Sequence, residues 1–435
     1  MTADGTRAKG GFASPERAGG AGGTERAQRA NAPRSESHII FLVGAIQFVN
    51  IVDFMMVMPL GPDYAQALGI STAHLGQIAG SYTLAAAFSG LVAALFLDRF
   101  DRRKALAVAL LGLVTGTAAG AFARGLPSLV LARAIAGSFG GPATAISLSI
   151  IADVVPPARR GRAMGAVMGA FSAASVLGVP MGLRLSTWGG WRLPFIVVAA
   201  MGVVVGVLSI REMPPMRGHI VAGTPRPISQ MTALLGDSTV WLALATNALV
   251  MLTGFIVIPN IAPHLLQNLG FPRNRLDIAY MIGGATSFAI MRIAGRGVDR
   301  YGAARVSVVG TVLMIGVLYF AFIAPGAIGV AGVFLVFVVF MGGMSVRNIA
   351  MTSLTTRVPR ANQRAGFMSL QSTAQHMSSA TGAFVSSKLL HEIPGGKLSG
   401  IATVSTISAV LALGLPPLLA VINKRVRARE AAQIA

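Results

Sequence analysis

From residue 39 to residue 421 the chain alternates long apolar stretches with short polar breaks. The stretches cover 39–60, 75–97, 105–123, 126–151, 163–187, 192–210, 239–261, 277–297, 306–324, 327–350, 365–389 and 399–421. A helix needs about 20 apolar residues to cross a bilayer, so the pattern predicts an all-α membrane protein with twelve transmembrane helices. The longest break, 212–237, is rich in proline and polar residues, which resist regular structure. It divides the chain into six-span units at 38–211 and 238–422, with terminal tails at 1–37 and 423–435. The first tail is rich in Gly, Ala, Arg and Ser without an apolar core, and reads as disordered rather than as a signal peptide.

Composition sharpens this picture. Charged residues are 12% of the chain and hydrophobic residues 54%, with a mean hydropathy of +0.68. An average soluble domain is about 25% charged, so this chain must be solvated by lipid. Its net charge of +21 sits in clusters between apolar runs, without the aromatic interleaving of a nucleic-acid surface. Counting Lys and Arg by side gives 27 with the tails and seven opposite, which predicts cytoplasmic termini in a bacterial inner membrane. Cysteine is absent, and no cofactor or metal site is expected.

Two breaks echo one another. "LDRFDRRKAL" follows the second span and "GRGVDRYGAARV" the eighth, with Asp98-Arg99 and Asp299-Arg300 offset by 201 residues. "PARRGRA" and "PRANQRA", after the fourth and tenth spans, share Pro-x4-Arg-Ala at an offset of 202. Agreement of two loops on offsets within one residue of each other implies a six-helix unit used twice.

These residues resemble the major facilitator superfamily of secondary transporters. The family's loop signature, Gly-x3-Asp-Arg-x-Gly-Arg-Arg/Lys, is matched at Asp98, Arg99, Arg102 and Arg103, with Ala94 and Asp101 standing for its glycines. The second copy keeps Gly295, Asp299, Arg300 and Gly302 but has Ala303 and Ala304 in place of the basic pair. The resemblance implies two pseudo-symmetric six-helix bundles and a cytoplasmic latch, the Asp facing a helix N-terminus of the opposite half while the arginines pair across the loop. In the fifth span, "GAFSAASVLGVPMG" places Gly169, Gly178, Pro180 and Gly182 as in the drug:proton antiporter branch, similar to sugar- or arabinose-efflux-like members. Small residues there suit close helix packing, and the proline bends the span.

An ionisable side chain inside the hydrocarbon is a functional candidate. Asp53, in "NIVDFMMVMPLGP", and Arg133, in "LARAIAG", each lie seven residues from the non-cytoplasmic end of their span. Both sequences resemble antiporter-branch motifs, the second with an implied proton-transfer role. Burial opposes the charge of Asp53 while Arg133 favours it, so separating the two would load a proton. Arg347 is assigned only a phosphate headgroup or a helix end as partner. Gln47, Asn50, Asn247, Gln371, Gln375 and His376 are polar at mid-span and are candidate substrate-cavity residues.

The chain lacks the Gly-x4-Gly-Lys-Ser/Thr of an ATP-driven pump, and "HEIPG" is not a zinc-protease helix. No enzymatic activity is expected. The expectation is a proton-coupled antiporter exporting a small organic solute by alternating access, as a monomer among lipids and without nucleic acid. A facilitative uniporter or a transporter-like sensor of the same fold is the alternative.

Overall fold

The computed structural model describes residues 36–96, 99–217, 234–326, 328–359 and 364–434. The expected N-terminal tail through residue 35, most of the central loop and Asp98 lie outside the described residues.

The described helices follow the apolar pattern. In the first half they are α1 (Glu36–Met56), α2 (Leu75–Phe96), α3 (Arg102–Ala121), α4 (Leu126–Val154), α5 (Pro157–Ala173, continuing to Gly189) and α6 (Arg192–Glu212). The second half comprises α7 (Ser238–Val257), α8 (Leu276–Tyr301), α9 (Ala303–Leu318), α10 (Val330–Thr355), α11 (Arg364–Leu389) and α12 (Ile401–Ala412, resuming at Leu415–Ile434). Among the described residues, eleven spans are long and apolar enough to cross a membrane. The exception, α11, carries Gln371, Gln375 and His376 among several serines. It packs against α2 and α7, so protein rather than lipid receives its polar groups. The segment expected as a C-terminal tail from 423 is helical to Ile434.

Ion pairs define one face of the molecule. Glu36 at the start of α1 meets Arg159, His38 lies 3.6 Å from Glu212 at the end of α6, and Arg429 near the end of α12 bonds Asp237 before α7. This is the terminal face, and its opposite is the far face.

On the far face the halves are tied together. Arg273 donates to Asp63 at 2.8 and 2.5 Å, Ser186 adds a 2.7 Å bond to the same carboxylate, and Arg184 lies 2.6 Å from Asp277. The Thr72 amide donates to Glu392, beside a two-strand hairpin pairing His391 with Ser399 and Glu392 with Leu398, and Ser387 donates to the Ala73 carbonyl at 2.7 Å. Below these bonds, two glycines bring backbones into contact across the halves. A Cβ on Gly76 of α2 would lie 2.1 Å from the Ala383 carbonyl of α11, and one on Gly284 of α8 would lie 2.6 Å from the Ser175 carbonyl of α5. Towards the terminal face, Phe288, Met291 and Ile293 of α8 and Gly165 and Gly169 of α5 are exposed.

Phe54 of α1 and Phe255 of α7 are also 201 residues apart, and their rings stack across the halves with centroids 5.9 Å apart. The repeat offset read from the loops thus recurs as a contact on the pseudo-twofold axis between the bundles.

Candidate functional site in the first bundle

Gln47, Asn50 and Asp53 recur every three residues and occupy one broad face of α1. That face turns into the first bundle, where all three are buried. Arg133 of α4 donates through one Nη1 to both Asp53 carboxylate oxygens, at 2.9 and 3.0 Å, and the hydroxyl of Thr117 on α3 donates to Oδ1 at 2.7 Å. Asp53 is 0% and Arg133 1% exposed. The guanidinium carbon lies 4.6 Å from the ring centroid of Tyr82 on α2.

A polar relay extends from this pair. Tyr82 donates its hydroxyl to Asn50 Oδ1 at 2.9 Å, and Asn50 Nδ2 donates to Thr144 Oγ1 at 2.9 Å and to the Gly140 carbonyl at 3.1 Å. Thr144 in turn lies 3.4 Å from Gln47 Oε1. Glycines set this geometry. A Cβ on Gly137 would lie 2.2 Å from the Tyr82 carbonyl, and one on Gly140 2.2 Å from the Tyr82 hydroxyl. These two positions let α2 approach α4 closely enough to lay the tyrosine ring over Arg133.

The chemistry follows from burial. Removing one partner of a buried ion pair strands the other charge, at about 3–5 kcal/mol. A proton on Asp53 has the same electrostatic effect without removing an atom: it cancels the attraction for Arg133.

Tyr82, Thr117 and Thr144 carry no distinct signal in the sequence, because a lone Thr in an apolar span usually bonds its own helix and a lone Tyr fills space like any other ring. The usable signal was periodicity relative to the charged residues, since Arg133, Gly137, Gly140 and Thr144 form one stripe on α4.

The other candidates are placed less compactly. Asn247 is fully buried, and neither of its amide atoms has a partner among the described residues. Gln371 Oε1 is likewise buried without a partner there, while Gln375 and His376 are half-buried on α11. Arg347 requires a correction. It is 0% exposed, enclosed by protein, and donates to the hydroxyl of Thr253 on α7 at 2.8 Å. Its stem packs against Gly310 of α9, where the absence of a side chain makes room.

For the loop signature, the partners described for three residues belong to the first half. Arg102 pairs with Asp153, Arg103 donates to the Met213 carbonyl at 3.0 Å, and Asp101 caps α3 while accepting from Met216 and Arg217 at 3.3 Å. Burial raises the Asp101 carboxyl, but these hydrogen bonds outweigh it and hold the group below its ordinary value. Arg99 is exposed, and Asp98 lies outside the described residues. In the second half Asp299 is exposed, Arg300 lies over the Tyr301 ring, and Gly302 takes a φ of +86° between α8 and α9. Gly295 has open space around it.

In α5, a Cβ on Gly178 would lie 2.3 Å from Val52, a tight seam with α1, and one on Gly182 would make an ordinary 3.4 Å contact with Met56. Pro180 follows a π-helical turn at Ala174–Gly178, where hydrogen bonding shifts register around its missing amide. Gly169 departs from expectation: a Cβ there would meet nothing within 4 Å, so it seats no helix.

The profile of the Major Facilitator Superfamily matches residues 43–383. The chain belongs to the Major Facilitator Superfamily. This superfamily chain is similar to a chloramphenicol resistance protein of Streptomyces lividans, 28% identical over 66% of this chain and 73% of the relative. It is also similar to the purine ribonucleoside efflux pump NepI of Escherichia coli O157:H7, 29% identical over 55% of this chain and 59% of the pump. Its fold matches a bacterial homologue of the lysosomal transporter Spinster with a TM-score of 0.71 at 16% identity, covering 91% of this chain and 98% of the other. A mutant of the nucleoside transporter NupG also gives 0.71, at 14% identity, over 88% of this chain and 99% of the other. The superfamily chain is thus a multi-pass membrane transporter, not an enzyme, with efflux pumps among its relatives.

Proposed function

We propose that the chain is a proton-coupled antiporter that exports a small organic solute, a drug, sugar or metabolite, by alternating access. It works as a monomer in the bacterial inner membrane with both termini in the cytoplasm. Asp53 and Arg133 are the coupling pair, and the observation that carries the reading is their full burial in direct contact within one bundle. In this orientation the far face, where the halves are bonded to one another, is outside. A proton reaching Asp53 releases Arg133, whose guanidinium lies against Tyr82; Tyr82 packs on Phe54, and Phe54 on Phe255 of the other half. Charge at Asp53 thereby acts on the contact between halves. Asn247, Gln371, Gln375 and His376 are the second half's polar groups for the solute, with Gln47 and Asn50 supplying those of the first. The signature residues Asp98, Arg99, Arg102, Arg103, Asp299 and Arg300 latch the cytoplasmic side when it closes.

Export is supported by the relatives named for chloramphenicol resistance and nucleoside efflux. The test is transport by purified protein in proteoliposomes across a panel of small solutes with an imposed pH gradient. An antiporter drives solute against its gradient and moves protons when solute is added. A uniporter equilibrates the solute irrespective of the pH difference.

A further inference from the structure

A groove of about 950 Å³ runs down the outside of the first bundle between α1, α5 and α6. Its lining is apolar except for Ser37 at one end, and Gly44, Ala166, Gly169 and Ala200 make it deep. A Cβ on Gly44 or Gly169 would meet nothing within 4 Å, so these glycines keep space open. Along α1 the groove extends from Ser37 to Val49. At a rise of about 1.5 Å per residue that is about 18 Å, close to one leaflet's half of a hydrocarbon core about 30 Å thick. All three helices belong to spans apolar enough to sit in a bilayer.

The face that lines the groove continues into charge. On α5, Arg162 precedes Ala166 by four residues and Gly169 by seven, which places it on the same side of the helix, about one turn nearer the terminal face. On α6, Arg211 follows the lining residue Val204 by seven, again on the same side and towards the same face. Both arginines are exposed, and neither has a hydrogen bond or ion pair among the described residues. Of the nearby carboxylates, Glu36 pairs with Arg159 at 2.8 Å, and Glu212 lies 3.6 Å from His38. An apolar channel one leaflet long thus ends at a serine hydroxyl and two uncommitted guanidiniums.

We propose that this groove binds one anionic phospholipid from the leaflet at the terminal face, its acyl chain lying between α1, α5 and α6 and its phosphate held by Arg162, Arg211 and Ser37. Lipid tails are as apolar as the groove's side chains, so burial of the chain alone gives little net attraction and the groove acts through shape. Selectivity comes from the arginines. Two basic side chains at an anionic headgroup correspond to a preference of about 30-fold. The site lies outside the Asp53 network, so its test does not depend on proton coupling.

The experiment is native mass spectrometry of the full chain in detergent, with phosphatidylglycerol and phosphatidylcholine of identical acyl chains. The wild type should retain one phosphatidylglycerol with about 30-fold preference over phosphatidylcholine. Arg162→Gln with Arg211→Gln should abolish the preference, and Gly169→Leu, which fills the groove, should reduce retention of both lipids. Gel filtration checks that the variants are folded, and the arginine variant, altered only at the surface, decides alone if the leucine variant does not fold. Equal retention of the two lipids by wild type, an unaltered preference in the arginine variant, or unaltered retention in a folded leucine variant overturns the proposal.

Discussion

Arg273 and Asp63 form a two-pronged bond, 2.8 and 2.5 Å, that joins the second half of the molecule to the first on the far face. Both side chains are partly exposed, and Arg184 with Asp277 makes a similar bond nearby. Arg–carboxylate forks are among the stronger charge-assisted contacts, yet at partial exposure each is worth only about 0.2–1 kcal/mol. That suits a latch which the proposed alternating-access cycle would break and remake.

Asp63→Asn should therefore move the conformational population by up to about fivefold towards a parted far face. Because the chain has no cysteine, Thr187→Cys with Ile393→Cys gives two clean label sites on exposed positions of opposite halves. Electron–electron distance measurements should show a longer component gaining weight in the Asp63→Asn background. An unchanged distribution contradicts the latch.

Gly76 should be less forgiving than the latch residues. Even an alanine there sets a methyl 2.1 Å from the Ala383 carbonyl, a backbone atom that cannot rotate away. Gly76→Ala should widen the same label distance more than Asp63→Asn does, with the protein still inserted. Equal or smaller widening would mean that the two helices do not touch there.

Thr117→Val removes the hydroxyl that donates to the Asp53 carboxylate. A hydrogen bond to a charged group is worth about 1.5–3 kcal/mol. Solute accumulation by Thr117→Val under an imposed pH gradient in proteoliposomes should therefore fall well below that of wild type, and accumulation equal to wild type detaches Thr117 from the coupling pair.

Outside the spans, Arg429 beside Asp237 holds its carboxyl below the ordinary 3.8; burial opposes this, and the Thr239 amide adds to it. A depressed carboxyl contributes stability that is complete above its unfolded value and disappears as pH falls through its folded value. Asp237→Asn keeps a residue able to cap α7 and removes only the charge. Its deficit in melting temperature relative to wild type should be full at pH 7 and shrink below about pH 4. A deficit constant down to pH 3 rejects the assignment.

Much of this was legible in the sequence. The apolar periods marked the helices, since lipid forces continuous apolar runs, and the offset of 201 residues that reappears at Phe54 and Phe255 marked the duplication. Asp53 and Arg133 stood out because charge in a span is costly, and their equal depth fits the contact found. The far-face latch was not legible. Asp63, Arg184, Arg273 and Asp277 lie in or beside polar breaks, where charge reads only as topology, and their pairing spans up to 210 residues of sequence. Gly76 and Gly284 were hidden among 52 glycines, because close approach depends on which helix comes to face them. Arg347 misled for a related reason: its partner, Thr253, is neither charged nor conspicuous.

The most direct measurement of the central claim is solute transport by wild type and Asp53→Asn in proteoliposomes, with and without a pH gradient. Wild type should accumulate solute against its gradient, while Asp53→Asn, still inserted and still able to exchange solute across the membrane, should show no response to pH. Accumulation by Asp53→Asn equal to that of wild type under the same pH gradient would contradict the account.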